Sequence, residues 1–346
     1  MKKLLIIMTY IFICFIYLYY LACVYTNPNK SNDYLSISMV GDLLLDRGVR
    51  KKIEKLGLSE ILNDVKVVFK SADYSIANIE CPITLINKPL HKKYIFRAEP
   101  SYLSDIFDLG ITHLNVANNH TIDQDREGFA STIENIKKYK LIPLGYGKSQ
   151  EYAIKPIIIT KNEIKIAIFS SMQLPIQGWN SQKDLIGPCE ANIFELKYAI
   201  ENYKKGNPTH KILVILHWGI ELQQLPTTKQ KDDAKMLIDA GVDIIIGHHP
   251  HVVQSIEIYK NKFIFYSIGN FLFDMNLKLT RYNIILKLIF NNKDLEKVFI
   301  YPFISKNIIL KNMSKTEKQD FIDYLKNISP NVKIIDKNNY LEVNII

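Results

Sequence analysis

Apolar positions along this chain fall into short runs of aliphatic and β-branched residues that end abruptly in polar ones, with stretches of helical spacing between them. Ser36–Val40, Tyr74–Ala77, Ile111–Ala117, Ile212–Leu216 and Ile244–Ile246 read as strands. The last is an isoleucine run of the kind expected where both faces of a sheet are covered. Ser101–Leu109, Phe129–Tyr139, Glu195–Tyr203 and Lys229–Ala240 read as helices, and the alternation predicts an α/β fold. Beyond about residue 280 the pattern changes. Tyr282–Phe290 and Val298–Phe303 predict strands and Lys315–Asn327 a helix, an accessory edge of the same domain in which no motif carries chemistry. No internal repeat is visible, and 346 residues allow one large domain or two.

The polar residues that end these runs are not random. Ser36–Val40 leads through Gly41 to Asp42, with Arg47 a little beyond, and Tyr74–Ala77 leads to Asn78 and Glu80. Ile111–Ala117 is followed by Asn118, Asn119, His120 and then Asp123, while Ile212–Leu216 runs into His217, Trp218 and Glu221. After Ile244–Ile246, Gly247 permits a sharp turn and His248, His249 and His251 follow. His249 and His251 lie two apart, so both imidazoles can face one side and share a metal while His248 faces elsewhere. Asp and Asn often cap helices and turns, which would explain one such cluster. Five strand ends carrying Asp, Glu, Asn and His predict a site at the carboxyl edge of a sheet.

The ordered motifs are GDLLLDR (Gly41–Arg47), NIECPIT (Asn78–Thr84), FRAEP (Phe96–Pro100), NNHTID (Asn118–Asp123), HWGIE (His217–Glu221), GHHPHVVQ (Gly247–Gln254) and YSIGNFLFD (Tyr266–Asp274). Over residues 36 to 275 this set resembles the poly-gamma-glutamate capsule biosynthesis family of the CapA type, which is similar in fold to the calcineurin-like metallophosphoesterases. The resemblance implies a four-layer αββα sandwich, with a small C-terminal β/α extension. It implies Asp42 on one metal, Glu80 as a shared carboxylate, and Asn119 with His217 on a second metal. His249 and His251 would close the two shells, His120 with Asp123 would serve as general acid, and Arg47 as an anion clamp. The chain departs from the pattern where Leu44 replaces the metallophosphoesterase histidine two positions after Asp42. Asp46 and Asp125 stand where the capsule family has glycine, and they add negative charge near the site.

Two divalent cations on mixed oxygen and nitrogen ligands bring a bridging water close to neutral pKa and make it a nucleophile. Manganese, iron or zinc suits such a donor set better than calcium. A phosphoester is the default electrophile, because paired cations and an arginine neutralise its oxygens, and an amide or gamma-glutamyl bond is the alternative. Other residues read as structural. Trp218 and Trp179 are expected in the core, His113 as a satisfied core histidine, and His91 and His210 as solvated. Glu221 is either solvated or a partner of His217.

Composition adds the surroundings. A net charge of +9 and pI near 9.0 suit an acidic polymer or membrane surface, and lysines scattered without an aromatic-interleaved stripe exclude nucleic acid as a partner. Lys2 and Lys3 precede an uncharged run from Leu4 to Val24, long enough to span a bilayer and expected to anchor an extracytoplasmic domain in the cell membrane. The alternative is a lipoprotein signal ending at Cys23, although Tyr20 is a poor match three positions before it. Cys81 and Cys189, the cysteines outside that run, make no disulfide framework. The expected plan is an anchor over 1–26, a linker over 27–35, the main domain over 36–275 and the accessory segment over 276–346. Three readings follow: an anchored hydrolase acting on an anionic envelope or capsule polymer, a non-catalytic subunit that tethers or exports that polymer beside other capsule-synthesis membrane subunits, and a phosphoesterase unrelated to capsule.

Overall fold

A computed structural model describes residues 34–345. The expected anchor over Leu4–Val24 lies outside the described residues, and no helix among the described residues is long and apolar enough to cross a membrane. Ten strands form a mixed sheet around β1 (Leu35–Leu43). On one side β2 (Tyr74–Ile79), β3 (His113–Asn115) and β4 (Ile142–Leu144) follow in parallel. On the other lie β13 (Asn270–Leu272), β14 (Tyr282–Phe290), β15 (Leu295–Lys306), β18 (Leu341–Ile345) and β17 (Val332–Asp336), with β16 (Ile309–Asn312) paired to β15. The second sheet has six strands in the order β11 (Ile256–Tyr259), β12 (Lys262–Phe265), β10 (Ile244–His248), β9 (Lys211–His217), β7 (Ile164–Met172) and β6 (Ile157–Lys161), and β5 (Tyr146–Gly147) pairs with β8 (Gly187–Pro188) apart from both.

Side chains alternate between faces along each strand, and here both faces are apolar. Ile37, Met39, Ile166, Ile168, Leu213, Ile215, Ile244 and Ile246 meet between the sheets. Val40, Ala77, Ile79 and Leu114 face outward onto α1 (Arg47–Leu56), α2 (Tyr102–Leu109) and α3 (Asp125–Lys138). On the far side Ala167, Phe169, Ile212, Val214, Leu216 and Ile245 pack against α4 (Ile193–Gly206) and α5 (Thr228–Asp239). The result is the expected four-layer sandwich. Each fully buried aliphatic side chain contributes about 1.5–3 kcal/mol of transfer free energy, and a one-residue slip would exchange every inner residue for an outer one, so register is firmly set.

Two expectations are revised. The Ile111–Ala117 strand shrinks to β3, because the Asn118 side chain accepts from the backbone N–H of His120 and Thr121 and turns the chain out of the sheet. The C-terminal segment is more central than an accessory edge. β14 pairs antiparallel with β1 from Leu35↔Phe290 to Val40↔Ile285, and Phe321, Ile322 and Leu325 of α6 (Lys315–Ile328) join the core between the sheets.

Register places the polar residues at one level. Asp42 pairs with Asn78 and with Asn270, and Asn78 with Asn115, while His217 pairs with His248 in the other sheet. Gly41 and Gly247 make this possible. A Cβ on Gly41 would lie 1.9 Å from the Gly269 carbonyl oxygen, and one on Gly247 the same distance from that of Tyr266, so only glycine allows the backbones to approach so closely.

His113 is buried and its Nδ1 lies 2.7 Å from Thr112 Oγ1, as expected of a core histidine. Burial pushes it down from 6.5 to about 4. Its folded pKa lies below the unfolded one, so the unfolded chain binds the proton first as pH falls. The contribution is intact above about pH 6.5 and lost progressively towards pH 4. Denaturant titrations at pH 7.5 and pH 4.5 should show His113→Gln losing roughly 2 kcal/mol less than the parent between the two conditions. Equal losses would show that His113 does not titrate in this range.

Candidate metal centre

Five of the six proposed ligands form two overlapping groups of donor atoms, Asp42 with Glu80 and His251, and Glu80 with His217 and His249. Within each group the donor atoms lie within 4.8 Å of one another, and Glu80 belongs to both. The sixth, Asn119, places Oδ1 2.8 Å from His217 Nε2, itself 3.6 Å from Glu80 Oε1. Glu80 is fully buried, and neither carboxylate oxygen has a hydrogen-bond partner. Burial and then the charge of Asp42 push its carboxyl well above the usual range. Such a group is costly unless a cation sits beside it.

Asp42 behaves in the opposite way. Burial opposes its ionisation, but the His248 and His251 imidazoles outweigh burial and hold it well below the usual carboxylate range. Asn78 Nδ2 donates to its Oδ1 at 2.7 Å, and the His249 backbone N–H donates to its Oδ2 at 3.3 Å. His251 Nδ1 lies 2.9 Å from Asn270 Oδ1 and 3.2 Å from Asp42 Oδ2, which leaves Nε2 facing Glu80 at 3.9 Å. Burial alone would lower the His251 pKa, yet Glu80 and then Asp42 push it up to about 9. His217 and His249 stay neutral: burial takes His217 well below 6.5, and burial with the charge of His251 takes His249 to about 3. An ionised aspartate and neutral imidazoles are the forms that bind metal.

The loop bearing these histidines is strained. His249 and His251 have φ of 95° and 59°. Non-glycine residues reach the left-handed region at a cost of about 1–3 kcal/mol each, and they persist where surrounding structure fixes them. Leu222 N–H donates to the Pro250 carbonyl at 2.9 Å and clamps the loop.

His120 stands beside the cluster with Nδ1 2.8 Å from Asp123 Oδ2, and Phe96 lies over its ring at 4.2 Å. Burial lowers its pKa although Asp123 opposes this. Among the described residues, Arg47 makes no hydrogen bond or ion pair with the proposed ligands. Its guanidinium makes a two-pronged pair with Asp274, at 2.7 and 3.0 Å, and lies over the Phe96 ring, which covers His120, at 5.4 Å. Two further expectations change. His248 does not face elsewhere but places Nδ1 3.3 Å from Asp42 Oδ1, because the turn after Gly247 keeps all three imidazoles inside. Asp46 adds no open charge, since Arg50 and the Arg97 N–H engage it, and Asp125 is exposed at the start of α3.

Sequence reasoning missed the residues that hold the ligands. Asn78 orients Asp42, lies 3.3 Å from His217 Nδ1, and is itself held through Oδ1 by Asn115 and Asn118; Asn270 orients His251. Their signal was present, because both amides sit inside motifs at strand ends. Lys92 had no signal beyond a basic loop. Trp218 is buried with Nε1 donating to the Tyr266 carbonyl, whereas Trp179 is half-buried, at 4.4 Å from the Arg126 guanidinium. His91 and Glu221 are exposed, and half-buried His210 meets the Tyr203 hydroxyl at 2.8 Å. Cys81 and Cys189 are free and buried.

A two-sheet α/β sandwich with carboxylates, amides and histidines at its carboxyl edge defines a protein of the metallophosphoesterase fold class. A phosphatase from Mycoplasma pneumoniae shares this fold at a TM-score of 0.50 and 15% identity, covering 84% of this chain and 99% of that one. Residues 36–275 match the family described as Bacterial capsule synthesis protein PGA_cap, and the chain belongs to that family. It is similar to the capsule biosynthesis protein CapA of Bacillus anthracis, 32% identical over 260 residues, and to the PGA biosynthesis protein CapA of Bacillus subtilis, 35% identical over 258 residues. The matches cover 73% and 72% of this chain but 63% and 66% of those relatives, a little under two thirds of their length.

Glu80→Gln replaces the sealed, unpartnered carboxyl with a neutral group of the same shape. In chelator-treated protein this variant should be more stable than the parent by about 1–3 kcal/mol, and added manganese should no longer raise its melting temperature. A destabilised variant that still responds to metal would contradict the role read from Glu80.

Proposed function

We propose that this chain is a metal-dependent hydrolase of capsule-polymer assembly, anchored through Leu4–Val24 with its domain facing outward, and that it carries two divalent ions. The observation that supports it most directly is Glu80, a sealed carboxylate with no donor, shared by two groups of ligand atoms. Asp42, Glu80 and His251 would hold one ion, and Glu80, His217, His249 and Asn119 the other. The donor set fits manganese, iron or zinc. Such ions supply Lewis acidity and an activated water. The chain's own part is then to place a proton and an anion. Asp123 engages His120 Nδ1 and leaves the other ring nitrogen for a leaving group. The outward domain's basic character suits an anionic envelope or capsule polymer as substrate, handed over by other membrane subunits of capsule synthesis. A second reading, a subunit that tethers or exports polymer without turnover, is favoured by Arg47, whose pairing with Asp274 occupies the expected anion clamp.

Metal analysis of the purified full chain is expected to find near-stoichiometric manganese, iron or zinc that falls in His217→Ala and His249→Ala while circular dichroism is unchanged. Hydrolysis of bis-p-nitrophenyl phosphate and of a gamma-glutamyl anilide is then compared with His120→Asn, which should keep its metal and lose about 10²–10⁴-fold in turnover. A folded protein without metal after reconstitution would defeat the hydrolase reading. A loaded one inert on both substrates would leave the tethering role.

A further inference from the structure

The loop over residues 85–97 crosses the edge of the site, and it is fastened there more heavily than a solvated basic loop requires. Lys88 N–H donates to Gln124 Oε1, Leu90 N–H to the Asp123 carbonyl, and Phe96 N–H to Asp123 Oδ2. Lys92 goes further. Its side chain is 7% exposed, and the ammonium lies 2.6 Å from Asp123 Oδ1 and 2.7 Å from the Asn119 carbonyl oxygen, with His120 Nδ1 at 3.4 Å. Those contacts reach three residues of the same motif: the backbone of a proposed metal ligand, the histidine beside it and the carboxylate that holds the histidine.

We infer that Lys92 is a positioning residue for the metal centre, seating Asn119 and the His120–Asp123 pair from outside the motifs that supply the ligands. The inference rests on the metal reading above. Its logic is electrostatic and geometric. An ammonium taken out of water needs close compensation, and Asp123 with the Asn119 carbonyl provides it. In return the Asn119 peptide gains a charged donor that fixes its orientation, and with it the side-chain oxygen 2.8 Å from His217 Nε2. Asp123 is drawn to Lys92 through one oxygen and serves His120 and the Phe96 N–H through the other, so the carboxylate cannot swing away from the histidine.

The test is manganese affinity of the full chain, followed by the paramagnetic resonance signal of the free aquo ion. Lys92→Met keeps the stem and removes the charge, and Lys92→Arg keeps the charge. The expected result is a dissociation constant weaker by about 10–100-fold in Lys92→Met, as for loss of other groups that orient ligands, with most of the loss recovered in Lys92→Arg. Lys88→Ala in the same loop, which breaks only an exposed pair with Glu127, should leave affinity unchanged. Removing one partner of a buried pair risks unfolding, so Lys92→Met/Asp123→Asn removes both charges together. The inference expects this variant to bind manganese weakly as well, because the Asn119 carbonyl has still lost its donor. Parental affinity in a folded Lys92→Met or double variant would overturn the inference alone, whereas a parent that binds no manganese would overturn the metal reading and this inference with it.

Discussion

A carboxylate sealed from water without a donor is tolerable only beside a compensating positive charge, and Glu80 imposes that condition on the carboxyl edge of both sheets. Asp42 cannot meet it, being a second negative charge, and its presence raises the demand. Among the described residues the cationic group brought close to Glu80 is a protonated His251, which is why that imidazole holds its proton up to about pH 9. A divalent ion answers the same demand with a larger charge. The two answers exclude each other, because an imidazolium offers no lone pair. Metal entry at this site would therefore be coupled to release of a proton.

That condition also explains the amides. A site holding two carboxylates, and three neutral imidazoles once His251 gives up its proton, has few internal donors, so its geometry must be fixed from outside. Asn115 and Asn118 both donate to Asn78 Oδ1 behind Asp42, and behind His251 the Asn283 amide donates to the Asn270 backbone carbonyl. Amides orient ligands without adding charge, so they do not alter the balance that Glu80 sets.

The layers of the fold were legible because short, unbroken apolar runs mark strands covered on both faces. Ile244–Ile246 and Ile212–Leu216 are apolar at every position, which only a strand covered on both faces tolerates. The central place of the C-terminal segment was not legible, since an antiparallel strand such as Tyr282–Phe290 carries no mark of which strand it joins. In the site, residue types that ligate metals were found from their place at strand ends. What escaped was direction. Nothing in GHHPH says that His248 turns towards Asp42, and nothing in GDLLLDR says that Arg47 turns towards Asp274, because both outcomes depend on partners more than 200 residues away. Lys92 escaped for a different reason. A lysine in a run of basic residues reads as solvated until its partners, 27 to 31 positions on, fold against it.

The C-terminal segment lies beyond the matched residues 36–275, yet it reaches the strained histidine loop. Tyr324 of α6 donates its hydroxyl to the Val253 carbonyl at 2.6 Å, and Ser329 accepts from the Ile256 N–H at 2.8 Å. These contacts fall two and five residues after His251, where a loop that holds two histidines in the left-handed region ends. Strain of that kind survives only where neighbours remove the alternatives. Leu222 closes the loop from the side of β9, and α6 closes it from the other. A segment without a chemical motif thus keeps the ligand loop in a shape that the loop's own sequence would not choose.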